Sequence, residues 1–186
     1  MAISFFIYSC IVSELDEAWE LAIAEAERRA RETGRGDIAD YLALRASNDL
    51  ARRSGIDWLL TGFMAIVGEA NRAGASVMIE QTDAHRFMIG NATMVGTKIT
   101  FRFGLRALTI EAGWPRVPRD GFIRGNGLAR ARIDHFGIKK HNEELLLVKK
   151  TKDAPPEWVI IDEDTGTRSP LIEARVRLHI RTFLGG

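Results

Sequence analysis

The 186-residue chain contains a single cysteine, Cys10, which excludes an intramolecular disulfide and a thiolate metal cluster. A reducing cytoplasm is the expected compartment. Neither sign of charge dominates: 26 Lys and Arg face 25 Asp and Glu, for a net charge of +1. Bulk charge therefore argues for neither nucleic acid nor a membrane surface as partner. A GxGxxG fingerprint and a Walker-type lysine are both missing, which removes the common nucleotide-binding loops. The apolar opening, MAISFFIYSCIVSE, lacks a basic residue before it and a small-x-small cleavage site after it, unlike a secretory signal. It is also too short to span a bilayer, so no membrane role is expected; a buried first strand or helix is. Within that run Cys10 reads as inert packing. No internal repeat, low-complexity tract or dividing linker is present, so residues 1–186 read as one domain.

What is present fits an ordinary globular protein, 46% hydrophobic and 27% charged. Residues 14–33 predict a helix, with Ser13 as N-cap, acids in its first turns, arginines in its last, and Gly34 as the stop. Leu15, Trp19, Ala22 or Ile23, and Ala26 form its apolar stripe. A second helix is expected over about 37–53, ending at Gly55, and a third over 56–72, ending at Gly74. The third is apolar almost all round, which marks a core element or a surface covered by a partner, including a second copy of the chain. Gly62 and Gly68 suggest close approach of another backbone there.

From residue 75 onward the period falls to two. SVMIEQT, HRFMIG, TKITFRF, LRALTIEA, ELLLVKK and EWVIID all read as strands. So does the C-terminal IEARVRLHIRTF, where Ile172, Ala174, Val176, Leu178 and Ile180 alternate with polar residues. The expected fold is α+β: three N-terminal helices (residues 1–74) packed on one face of a curved, mostly antiparallel sheet (75–186). Cone-shaped ligand-binding folds use the same order of elements, with a pocket between sheet and helices; that is fold-level analogy only.

The segment GFIRGNGLARARIDHFG combines glycines with arginines. A three-residue Gly125–Asn126–Gly127 hairpin loop, with the last glycine left-handed, pairs Arg124 with Leu128 and Ile123 with Ala129. Ile123, Ala129, Ala131 and Ile133 then share one face, and Arg124, Arg130 and Arg132 the other. Between Arg116 and Lys152 ten basic residues face four acids, so this segment is +6 and the rest of the chain −5. With Arg175, Arg177, His179 and Arg181 on the polar side of a last strand, a basic sheet face able to follow phosphates is expected. Glu80, Glu111 and Glu173 could instead pair with it across strands. Sheet readers of single strands stack bases on exposed aromatics, whereas Phe101 and Phe103 are expected on the core face. The loop AGWPRVPRDG adds Trp114, Arg116 and Arg119 on a backbone stiffened by Pro115 and Pro118. Its two readings are a contact element, or a core cap at a protected sheet edge.

Other chemistry-bearing types are sparse. NDLARRSGIDWLLTGF has helix-turn-helix spacing, but its second helix offers Trp58, Leu59, Leu60 and Phe63 where a groove reader needs polar side chains. In IDHFGIKKHNEE, Asp134, His135, His141 and Glu143 are metal-competent types without a known ligand spacing, so no metal site or cofactor is expected. His135 continues the apolar face of its strand and could end in a pocket; Asp83 and His85, two apart, could form an acid–base pair. Asp162, Glu163 and Asp164 read as turn residues. With no catalytic motif, the leading expectation is a non-enzymatic binding or assembly protein. Its anionic partner, an acidic protein surface or a nucleic acid, would meet the basic sheet face and the Trp-Pro-Arg loop. The alternative is a small-molecule-binding protein or enzyme using His135, or Asp83 with His85.

Overall fold

A computed structural model describes residues 3–151, 154–162 and 165–186, with side chains from residue 18 onward. The architecture is α+β. Helices α1 (Ile3–Glu32) and α2 (Gly36–Arg72) precede strands β1 (Met78–Ile89), β2 (Ala92–Phe103), β3 (Arg106–Trp114), β4 (Ala129–His135), β5 (Glu143–Val148), β6 (Glu157–Ile161) and β7 (Arg168–Pro170). Helix α3 (Glu173–Leu184) closes the chain. The strands form one antiparallel sheet in sequence order, so each pairs with its neighbours along the chain. Among the described residues no helix is long and apolar enough to cross a membrane.

The chain divides into two compact units, residues 1–50 and 51–186, with the boundary inside α2 rather than at a linker. In the first, α1 is braced by pairs three and four residues apart, Glu25 with Arg28 and Arg29, Glu27 with Arg31, and Arg28 with Glu32. Ile23, Ala30 and Ala39 are its buried apolar residues, and the Arg45 guanidinium lies 5.4 Å from the centre of the Trp19 ring. In the second unit, Ile56, Leu59, Leu60, Phe63, Ile66 and Val67 of α2 enter the core beside Val176, Ile180 and Phe183 of α3. Both pack on the sheet face formed by Ile99, Phe101, Leu108, Ile110, Ala131, Ile133, Leu145 and Leu147. These side chains fill the space between sheet and helices, where the analogy with cone-shaped folds would put a pocket.

Several sequence expectations are corrected. Helix α1 begins at Ile3, so of the two expectations for the apolar opening, strand or helix, it is the helix that forms; Ser13 lies within it instead of capping it. The side chains of Cys10 and Leu15 lie outside the described residues, as do Glu163 and Asp164. The second and third expected helices are one continuous helix, which removes the turn a helix-turn-helix requires. Gly55 does not end it: a β-carbon there would meet the Leu147 side chain at 2.7 Å, and the Gly55 carbonyl accepts a 2.7 Å hydrogen bond from Trp158 Nε1. Close approach thus occurs at Gly55, while a β-carbon at Gly62 would meet nothing within 4 Å and one at Gly68 only an arginine tip at 3.5 Å. SVMIEQT and HRFMIG belong to one strand, β1, with an irregularity between Thr82 and His85.

The largest correction concerns the C-terminus. IEARVRLHIRTF holds helix α3, not a strand, so the helices lie at both ends of the chain rather than all at the front. Val176, His179, Ile180 and Phe183 are its buried residues, spaced i, i+3, i+4, i+7. Glu173 pairs with Arg177 one turn on, at 2.7 Å, and Gly185 in the left-handed region caps the end. A two-residue alternation of small and branched residues had hidden a helical stripe that includes a histidine. The hairpin expected around residues 125–127 is also replaced. Residues 115–128 form a long connection between β3 and β4, with positive φ at Gly125 and Asn126.

Candidate functional site

The sheet face away from the helices carries a charge ladder. On β4, Ala129, Ala131, Ile133 and His135 are buried on the helix side, leaving Arg130, Arg132 and Asp134 on the other. Register sets Arg132 between Glu111 of β3 and Glu144 of β5. Arg132 pairs with Glu111 at 2.6 Å and Asp134 at 2.7 Å, and Arg130 with Glu144 at 2.5 Å. Glu111 is buried and also meets His85 Nε2 at 2.7 Å. That reach is possible because His85 stands opposite Gly96, which has no side chain. The bulge before His85 turns Asp83 elsewhere, to Gln81 at 3.0 Å and Thr97 at 3.2 Å, so the structure does not bring Asp83 and His85 together. Arg175 and Arg177 lie on a helix, not on this face. Arg175 Nε donates to Glu143 at 2.8 Å, and Arg177 pairs with Glu69 at 2.8 Å and with Glu173.

The 115–128 connection lies over the end of this same face. Ile123 packs both against a small cluster of Phe87, Ile89, Ala92 and Met94 and against the main core. Asp120 is buried: it pairs with Arg86 at 2.9 Å and accepts the backbone N–H groups of Arg116 and Val117. Arg52 Nε donates to the Leu128 carbonyl at 2.9 Å, which ties down the far end. Trp114 is a buried core cap with the Arg116 guanidinium 3.7 Å from its ring centre, a short cation–π contact. The exposed aromatic of the loop is Phe122, at 77%. Arg119 and Arg124 are exposed and have no ion-pair partner among the described residues. Arg168 of β7, exposed and likewise unpaired, lies against Gly125.

A third arrangement is buried. His135 Nε2 and His179 Nδ1 are 2.9 Å apart, and His179 Nε2 is 3.1 Å from Glu143 Oε2. A carboxylate only accepts, so His179 Nε2 carries the proton toward Glu143, and His135 Nε2–H donates to His179 Nδ1. Burial, reinforced by the neighbouring His179 and His141, lowers the His135 pKa to about 4. Burial alone would raise Glu143, but the hydrogen bonds from His179 and Arg175 outweigh it and hold its carboxyl below the ordinary value. Phe63 packs 6.2 Å from the His179 ring, so this chain of groups is part of the main core. No group of three or more metal-competent side chains able to hold an ion is found among the described residues.

Sequence reasoning missed Phe122 and Arg168 as loop partners, and His179 as the partner of His135. Phe122 and Arg124 flank the inward-facing Ile123, a local signal that was available. Nothing local could pair His135 with His179, which is 44 residues away. No protein-family model, curated protein or solved structure matches the chain.

Proposed function

We propose that the protein is a non-enzymatic binding protein that contacts an anionic macromolecule through the 115–128 loop. One observation carries the reading: Arg119, Arg124 and the adjacent Arg168 have no ion-pair partner among the described residues, whereas Arg130, Arg132, Arg175 and Arg177 are each bound to a carboxylate. Paired guanidinium groups must give up a carboxylate before meeting a phosphate; unpaired ones need only release solvent counterions. The loop is also held in place before binding, by Ile123 in its apolar cluster and by the buried Asp120. A fixed loop loses less conformational entropy on association. Phe122, set among these cations, supplies an apolar surface of the kind that contact loops use. This moves the expected basic surface from the sheet, where strand order puts acids beside the arginines, to the loop that crosses it.

Retention on heparin and filter binding of a single-stranded oligonucleotide across a salt series test the reading. Two to three neutralised phosphates give a log–log slope of about −1.5 to −2 for a single strand. Absence of binding at low salt, or binding indifferent to salt, contradicts it.

A further inference from the structure

A cavity of about 1090 Å³ lies beside the start of α3, walled by residues of β4, β5, β6, β7 and the turn over Lys139–His141. It shares no residue with the 115–128 loop. Ile160, Ile172 and Leu178 give it an apolar wall, and Lys139 and Lys140 stand among its lining residues. Three of its four carboxylates are paired with arginines, and the fourth is hydrogen-bonded. Asp134 binds Arg132 and Asn142, Glu143 binds Arg175 and His179, Glu144 binds Arg130, and Asp162 accepts from Thr165. The same pairs occupy Arg132 and Arg175. Lys139 and Lys140 alone among the charged lining residues have no partner among the described residues. Even with Asp162 counted against them, the two lysines leave a positive balance next to apolar surface.

We infer that this cavity binds an amphipathic organic anion, with its apolar body against Ile160, Ile172 and Leu178 and its acid group at Lys139 and Lys140. Such sites combine apolar walls with a few placed polar groups, and this volume lies just above their usual range of about 300–1,000 Å³. The buried His135–His179 pair acts as a positioning element. By binding Glu143 from behind it fixes the carboxylate that holds Arg175, which keeps the cavity wall neutral and leaves the lysines as the anion's only unpaired counter-charge. Burying the two histidines behind a carboxylate of the wall costs folding free energy that apolar replacements would not, as expected for a wall that serves binding.

Titration of the full chain with octanoate, followed by backbone amide chemical shifts, tests the inference. Octanol, which has the chain without the charge, and acetate, which has the charge without the chain, are the comparison probes. The expected result is saturable octanoate binding, with shifts centred on Asn142, Ile160, Ser169 and Ala174. Octanol and acetate should each bind at least about tenfold more weakly. A Lys139→Ala/Lys140→Ala variant should keep the fold, because both lysines are exposed, and weaken octanoate about tenfold or more. Absence of saturable binding overturns the inference. So do shifts centred elsewhere, equal binding of either comparison probe, or an unaffected double variant.

Discussion

At the scale of single residues, His135 ties stability to pH. Free in an unfolded chain it takes up a proton near pH 6.5, but in the fold only near 4. Between those values the unfolded chain holds more protons, so acidification favours unfolding. Glu143, held below its ordinary value, acts in the same direction: its contribution is present above the usual carboxylate range and is lost as pH falls through the depressed value. Thermal unfolding should therefore show a falling midpoint from pH 6.5 to 4, with a loss on the order of 2 kcal/mol from His135. A His135→Gln variant, which keeps a donor toward His179 but cannot titrate, should flatten that fall. An unchanged slope would show that the histidine is not the group responsible.

At the scale of elements, strand pairing decides what the arginines meet. The alternation on β4 is legible in ARARIDH, and the outward set Arg130, Arg132 and Asp134 follows from it directly. The neighbours are not legible, because pairing Arg132 with Glu111 and Glu144 depends on register across three strands. Gly96 shows how tightly that register is built: a β-carbon there would overlap the Ala112 carbonyl oxygen of β3. Gly96→Ala should destabilise the protein by more than about 2 kcal/mol, read from denaturant midpoints, because backbone rather than a flexible side chain must move. A near-neutral Gly96→Ala would contradict the close β2–β3 approach. Helix α3 was hidden for a different reason. Val176 and Ile180 satisfy period two and period 3.6 together; the buried His179 and Phe183, which fall off the alternation, and the exposed Ala174, which falls on it, separate the two readings.

At the scale of the whole molecule, the buried residues of the main core, among the described residues, run from Ile56 to Phe183, within the unit spanning 51–186. A fragment of residues 51–186 should then unfold cooperatively and give dispersed amide resonances; collapse of the fragment would show that residues 1–50 are needed for the sheet to form. The α+β class and most strands were visible in the hydrophobic periodicity. The candidate site was visible only in part, since Arg119 and Arg124 could be named but their lack of partners could not. The central claim is that loop arginines, not sheet arginines, meet an anionic partner. The direct measurement compares heparin retention and oligonucleotide affinity of Arg119→Ala/Arg124→Ala with those of Arg130→Ala/Arg132→Ala. The predicted result is weaker binding and a shallower salt slope, by about one to two units, for the loop pair. The sheet pair should bind as the parent does while losing stability, because Glu111 and Glu144 are left without their cations. Loss of binding in the sheet pair with a fully active loop pair would contradict the account.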